Sequence, residues 1–295
     1  MIMDRLYETV KQKGPVCVGL DTAIDYIPQS FIDKYSFIED AIFRFNQRII
    51  DATFDIAGCY KVQIAYYESM GLKGLMVYKK TLKYIREKGG IVIGDIKRGD
   101  ISKTAEMYAK AHFEGDFESD IITLNPYMGL DSLSPYLPYI KNREKGVFVL
   151  LRTSNKGAQD LQYIDTKDNR KIYDVMGEKI QCLGQNYKGQ HGYSSIGAVM
   201  GCTHKEEGIR LREELSDTFF LIPGYGAQGG KAEDVALYLK NSNGGVVNAS
   251  RSILLAYKKA EDGDKMFDFY ARLAVINMKN AIQNACCLNY KSIIA

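Results

Sequence analysis

Short apolar runs recur along the chain, and each is followed by polar or glycine residues and then by an amphipathic segment. Unbroken apolar runs of this length are typical of strands in a parallel sheet that is covered on both faces. The predicted strands span residues 16–20, 58–64, 91–96, 121–124, 147–151, 196–201, 219–222 and 245–248. The clearest predicted helices span residues 38–51, 73–88, 102–113, 205–215, 232–240 and 265–287.

Eight such strand–helix units in 295 residues indicate an α/β fold, a (β/α)8 TIM barrel, with a doubly wound open sheet as the alternative. No low-complexity linker divides the chain, so we expect residues 1–295 to form a single domain. Residues 155–193 are longer than a usual strand-to-helix connection. We expect an elaborated loop there, with a helix near residues 173–183.

Polar residues stand at the predicted carboxyl ends of the strands. Because TIM-barrel enzymes carry their active sites at that end, these residues predict one functional face. Alone, each of them could be a helix cap or a turn residue. The ring consists of Asp21, Lys61, Gln63, Asp95, Lys97, Asn125, Thr153, Ser154, Thr203, Gln228, Ser250 and Arg251.

The densest charge follows the third predicted strand, where residues 94–104 read Gly-Asp-Ile-Lys-Arg-Gly-Asp-Ile-Ser-Lys-Thr. Asp95 and Lys97 alternate at the strand end, so both side chains should project to one face. Asp100 follows where the chain leaves the strand. Because buried charges are costly unless they are paired, the cluster indicates function, with a solvated loop holding chance ion pairs as the alternative.

Two loops are suited to binding phosphate. Residues 223–230, after the seventh strand, are rich in glycine, and residues 248–252 place Ser250 and Arg251 after the eighth. TIM barrels commonly hold phosphate with the loops after these two strands, and a guanidinium can bind it through two hydrogen bonds. There is no G-x-x-x-x-G-K-[ST] loop, so nothing in the sequence supports ATP or GTP hydrolysis.

Composition narrows the class of protein. A net charge of +3 gives no overall nucleic-acid footprint, and no apolar run approaches the ~18 residues of a membrane span. The amino terminus does not resemble a signal peptide. None of the six cysteines forms a C-x-x-C pair, which fits free thiols in a reducing cytoplasm. His112, His191 and His204 are scattered, which argues against a zinc site.

Motifs along nearly the whole predicted barrel resemble the orotidine 5′-phosphate decarboxylase family, specifically its longer bacterial group with Asp-x-Lys-Arg-Gly-Asp-Ile. They are Gly-Leu-Asp at 19–21, Tyr-Lys-Val-Gln at 60–63, the charged stretch 95–104, Ser-Asn-Lys-Gly-Ala at 154–158, the glycine-rich loop 223–230 and Ser-Arg at 250–251. Two positions depart from the family pattern. Lys156 stands where relatives often have proline, and Gln63 stands where many have asparagine.

The resemblance implies roles for individual residues. Lys61, Asp95, Lys97 and Asp100 would form the family's charged tetrad, with Lys97 as proton donor. Asp100, Ile101 and Thr104 would reach the neighbouring subunit's site, which makes the enzyme a homodimer. The substrate-binding residues would be Asp21 for ribose, Ser154 for the pyrimidine, Gln228 and Arg251 for phosphate, together with Gln63, Pro223 and Ser250.

This chemistry needs no cofactor motif, and none is seen, so we expect neither a cofactor nor a metal. In the reaction that the resemblance implies, loss of CO2 from carbon 6 of orotidine 5′-phosphate leaves a carbanion. A positioned ammonium such as that of Lys97 can stabilise and protonate this carbanion. The alternatives are a related magnesium-dependent barrel acting on a sugar-acid phosphate or condensing formaldehyde, a non-catalytic phosphosugar-binding barrel, and Schiff-base aldolase chemistry. The second strand carries no carboxylate before Glu68, which argues against the magnesium enzymes.

Overall fold

Eight parallel strands pair in chain order, and the first also pairs with the last, so the sheet closes into a barrel. The computed structural model describes residues 1–202, 205–226 and 229–294. The strands are β1 (Val16–Gly19), β2 (Cys59–Gln63), β3 (Val92–Arg98), β4 (Ile121–Leu124), β5 (Gly146–Arg152), β6 (Ser194–Met200), β7 (Thr218–Ile222) and β8 (Gly245–Ala249). The predicted TIM barrel is therefore confirmed, and the open-sheet alternative is wrong.

Helices follow the strands and form the outer layer. They are α1 (Ile2–Lys13), α2 (Gln29–Ile32), α3 (Ile38–Thr53), α4 (Ile64–Glu68), α5 (Gly71–Glu87), α6 (Ser102–Phe113), α7 (Leu137–Arg143), α8 (Ile172–Gly184), α9 (Lys205–Glu214), α10 (Ala232–Ala236), α11 (Arg251–Leu254) and α12 (Phe267–Ile294). Within the described ranges, no helix is both long and apolar enough to cross a membrane.

Successive side chains of each strand point to opposite faces of the sheet, and this alternation separates two apolar clusters. On β4, Ile122 and Leu124 belong to the larger cluster, which lies between the sheet and the helices, whereas Ile121 belongs to a smaller one inside the barrel. Met3 and Leu6 of α1 join the inner cluster, so α1 covers the end of the barrel where the strands begin. Most inward-facing positions near the strand starts are thus apolar, Ser195 on β6 being an exception, whereas charged side chains such as Lys61 and Asp95 stand near the strand ends.

Some helix boundaries differ from the sequence-based expectation. The predicted helix 232–240 is wrong in length, because α10 ends at Ala236 and Lys240 instead bridges to Asn243. Nothing in the sequence analysis predicted α1. In the long segment 155–193, α8 covers the helix expected near residues 173–183.

Candidate active site

Lys61, on β2, lies with its ammonium between two carboxylates. Its Nζ donates to Asp95 Oδ2 at 2.9 Å and to Asp21 Oδ1 at 3.1 Å, and its side chain is 5% exposed. Burial alone would lower the pKa of Lys61, but the two carboxylates outweigh burial and raise this pKa above its usual value. Lys61 therefore remains charged and fixes both carboxylates.

The Asp95 carboxylate, on β3, accepts four hydrogen bonds. Oδ2 accepts from Lys61 and from Gln63 Nε2 at 3.0 Å, and Oδ1 accepts from Lys97 Nζ at 2.6 Å and from Thr123 Oγ1 at 2.9 Å. Burial alone would raise the pKa of Asp95, but Lys61 and Lys97 outweigh it and hold this pKa well below its usual value. The site thus keeps a buried, ionised carboxylate between two ammonium groups.

The backbone at Lys97 is irregular. Its φ is 45°, in the left-handed region that side-chain-bearing residues rarely adopt. The pairing of β3 with β4 shifts register between Gly94 and Arg98. The Asp95 and Lys97 side chains do meet, as their alternation predicted, but a bulge rather than a regular strand brings them together.

These residues line a cavity of about 360 Å³ at the carboxyl ends of the strands. Charged and polar groups occupy one part of its wall, and apolar side chains from β5, β6 and β7 occupy another. The lining residues are Lys61, Asp95, Lys97, Thr123, Leu150, Thr153, Ser154, Asn155, Val199, Leu221, Pro223 and Asn248. Of the predicted site residues, Lys61, Asp95, Lys97, Ser154 and Pro223 are therefore gathered around one space.

Asp21 and Ser250 meet beside this cavity. Ser250 Oγ donates to Asp21 Oδ2 at 2.7 Å, on the side of the carboxylate opposite the Lys61 contact. A Cβ atom at Gly19 would lie 1.9 Å from Ser250 Oγ, so a side chain there would displace the hydroxyl that bonds Asp21. Arg251 follows as the exposed first residue of α11. Gln228 and Thr203 lie outside the described residues.

The residues that follow β3 are not part of this cavity. Asp100 Oδ1 accepts a hydrogen bond from the backbone N–H of Ile101 at 2.8 Å. Among the described residues, no ion pair joins Asp100 to Lys61 or Lys97. Ile101 is 44% exposed, and Thr104 is exposed on α6. Within one chain, then, the predicted tetrad is incomplete.

Two polar residues that lie on strands of the cavity wall, Thr123 and Asn248, are not among the residues predicted for the site. Both stand inside apolar runs, and both share the inward face of their strands with an apolar residue, Ile121 for Thr123 and Val246 for Asn248. A signal was present in the alternation, because a polar residue at an inward position near a strand end should reach the site.

Hydrogen bonds and an ion pair hold the chain on both sides of Ser154. Arg152 is fully buried, donates to the Gly201 carbonyl at 2.5 Å and forms an ion pair with Glu207 at 2.9 Å. Gln162 accepts from the Thr153 N–H at 2.9 Å and donates to the Thr153 hydroxyl at 2.8 Å. The pocket wall that carries Ser154 is thus held from both sides.

The side chains at the centre of the site do not suit a divalent cation as ligands. The Lys61 ammonium occupies the space between the Asp21 and Asp95 carboxylates, where a cation would have to bind. In the part of the chain that the structure describes, no three His, Cys, Asp or Glu side chains cluster in a way that could hold a metal ion.

Comparison with known proteins gives a consistent set of relatives. Residues 14–266 match the model of the family described as "Orotidine 5'-phosphate decarboxylase / HUMPS family". A Clostridium acetobutylicum protein named orotidine 5′-phosphate decarboxylase is 65% identical over 283 residues, which cover 96% of this chain and 99% of that protein. A protein of the same name from Clostridium botulinum strain Hall is 66% identical, with the same coverage.

Comparison with solved structures points to the same kind of protein. The structure of Leishmania donovani OMP decarboxylase superimposes with a TM-score of 0.75 and is 28% identical in sequence. The match covers 97% of this chain and 98% of that one.

Proposed function

The chain belongs to the orotidine 5′-phosphate decarboxylase / HUMPS family, and we propose that it converts orotidine 5′-phosphate to uridine 5′-phosphate in pyrimidine biosynthesis, as a carboxy-lyase. The observation that carries the proposal is the Lys61–Asp95–Lys97 array at the mouth of the barrel, in which Lys61 and Asp95 are buried and Lys97 is exposed towards the opening. Simple phosphosugar binding would not require two ammonium groups around one ionised carboxylate.

The array suits a reaction that creates negative charge without an electron sink. When the bond between carbon 6 and the carboxylate breaks, Lys97 stabilises the carbanion and donates the proton that replaces CO2. Asp95 is fixed by Lys61, so its charge stands near the departing carboxylate and disfavours it relative to the transition state. At ~4 Å, two unit charges interact by about 4 kcal/mol at an effective dielectric constant of 20, so a few such contacts are significant.

We assign the rest of the nucleotide to residues in and beside the cavity. Asp21 is held by Ser250 and would bind the ribose, and Ser154 would read the pyrimidine edge. Gly224 and Gly226 adopt positive φ angles of 106° and 70° in the loop after β7, and Arg251 follows β8. We assign phosphate to these two loops, together with Gln228 and Pro223.

A homodimer would complete the site. Asp100 forms no ion pair with its own Lys97, and the loops after β3 and β4 carry exposed apolar side chains, namely Ile101, Tyr127 and Met128. Large apolar side chains left exposed on these loops support an interface with a second copy. Asp100, Ile101 and Thr104 would then enter the partner's cavity.

The magnesium-dependent sugar-acid and formaldehyde-condensing branch is the other candidate within the family resemblance. That branch needs a carboxylate from strand two. Here β2 presents Lys61 and Gln63, and the next acid, Glu68, pairs with Arg98 at 2.6 Å. We therefore favour the metal-free reaction.

The cysteines support a cytoplasmic location for this activity. All six are free thiols, and Cys17, Cys59 and Cys202 are buried. Unpaired buried thiols are the usual state in reducing compartments.

The proposal is tested by following the absorbance of orotidine 5′-phosphate with purified protein before and after exhaustive chelation. We expect conversion to uridine 5′-phosphate that survives chelation and does not increase when magnesium is returned. No conversion, or conversion only with magnesium, would contradict the proposal.

A further inference from the structure

The β3–β4 contact leaves two backbone N–H groups without a strand partner. Gly94 pairs with Ile122 and Arg98 pairs with Leu124, so three residues of β3 stand opposite Thr123 alone. A bulge of this kind removes the regular ladder acceptors for the extra residues. The Ile96 N–H lies in a buried place and the Lys97 N–H in a partly buried one, so both need another acceptor.

The Thr123 side chain supplies that acceptor. Its Oγ1 accepts from the Ile96 N–H at 3.0 Å and from the Lys97 N–H at 2.9 Å, and it donates to Asp95 Oδ1 at 2.9 Å. A hydroxyl has one hydrogen and two lone pairs, and here all three are used. Since both lone pairs are occupied, the hydrogen is directed at Asp95.

We propose that Thr123 is a positioning residue for decarboxylation: its hydroxyl holds the bulge in the conformation that aims Asp95 and Lys97 together into the cavity. The inference rests on the proposed function above and adds to it a residue outside the charged tetrad. The left-handed backbone of Lys97 needs an external restraint, and Thr123 bonds its N–H directly. Asp95, bonded by the same oxygen, cannot rotate independently of that backbone.

The test compares Thr123→Val, which keeps the shape but loses the hydroxyl, with Thr123→Ser, which keeps the hydroxyl. Thr53→Val is the matched control, because Thr53 is also buried and its hydroxyl bonds Ile49 and Tyr60, away from the cavity. For each variant, kcat and KM for orotidine 5′-phosphate are measured, together with the affinity for uridine 5′-phosphate.

We expect Thr123→Val to lower kcat by about 10- to 100-fold, since small misplacements of reacting groups have effects of this size. KM and product affinity should change by less than about threefold, because phosphate and ribose contacts are untouched. Thr123→Ser and Thr53→Val should retain kcat within about threefold of the wild type.

Equal losses of kcat in the Val and Ser variants would overturn the proposal, because packing of the methyl group would then be responsible. So would a loss seen only in KM, or an equal loss in Thr53→Val. If Thr123→Val does not fold, Thr123→Ala is measured in its place, and failure of both to fold would make Thr123 structural and also overturn the proposal. A wild-type protein without turnover would instead contradict the proposed function.

Discussion

Lys61 illustrates how a single residue organises this site. It lies at the centre of a three-charge arrangement in which Asp21 and Asp95 face it from either side. Removing one member would leave a buried charge without its partner, which is costlier than never having had the pair. The arrangement therefore constrains the residues that contact it, including Gln63 and Ser250.

Arg251 should act on the phosphate alone. A charged hydrogen bond contributes roughly 1.5–3 kcal/mol, so Arg251→Ala should lower kcat/KM for the nucleotide by about 10- to 150-fold. The slow reaction of the phosphate-free nucleoside should hardly change. Arg44→Ala, which removes an exposed arginine bonded to Gln47 on α3, is the control and should affect neither substrate. Equal damage to both substrates would show that Arg251 does not act through phosphate.

The sequence pointed clearly to site residues whose charge is unusual, whereas polar residues inside apolar strands were marked only by the alternation of inward and outward positions. Asp95 and Lys97 were found because charged residues directly after a buried strand need an explanation. Thr123 was missed because a threonine in an apolar strand is unremarkable, and its role depends on a bulge created between two strands. The left-handed φ of Lys97 has the same origin and leaves no local signature.

The elements around the site are more predictable than their ends. The bounds of α6 and β4 are those that the pattern predicted. The end of α10 was predicted too late, because its final residues are taken by the Lys240–Asn243 bridge, a contact that periodicity does not encode. Helix α1 was not predicted, and its position depends on a tertiary contact, because it packs on the inner apolar cluster of the barrel.

Within α6, His112 should make folding sensitive to acid. It is 3% exposed, and its Nδ1 has no hydrogen-bond partner among the described residues. Burial, aided by Arg98, lowers the pKa of His112 to about 4, whereas the unfolded chain takes up this proton near pH 6.5. The unfolded state therefore binds more protons between these values, and stability falls as the pH drops through this window.

The predicted effect is a loss of up to about 3 kcal/mol in the free energy of unfolding between about pH 7 and pH 4. His112→Gln should remove that part of the pH dependence, as measured by urea unfolding at a series of pH values. The difference between the two proteins above about pH 7, where the imidazole is neutral in both states, gives the packing cost of the substitution as an internal control. Parallel curves for the two proteins would refute the assignment.

At the scale of the whole molecule, we propose that residues 1–295 fold as one domain. The pairing of β1 with β8 joins the two ends of the barrel, and Arg48 of α3 pairs with Asp268 of α12 at 2.6 Å. Neither half of the barrel can close its sheet alone. Thermal unfolding followed by circular dichroism and by tyrosine fluorescence should therefore give coincident transitions. Separate transitions would indicate independently folding parts, for instance around the long segment 155–193.

We propose that one charged network, shared between two copies of the chain, performs the decarboxylation. Lys97 lines its own cavity, whereas Asp100 is not among the lining residues and accepts a hydrogen bond from the Ile101 N–H. In a symmetric dimer, each site would contain Lys97 of one copy and Asp100 of the other. Lys97→Ala and Asp100→Ala homodimers should therefore both be nearly inactive.

The most direct measurement is turnover of orotidine 5′-phosphate after the two variants are mixed under conditions of subunit exchange. In a mixed dimer one site carries both defects and the other carries neither, so activity should recover to about half the wild-type value per mixed dimer. Native mass spectrometry establishes that mixed dimers have formed. Recovery of activity would support the shared site. No recovery in confirmed mixed dimers would place Lys97 and Asp100 in the same chain's site and contradict the proposal of a shared site.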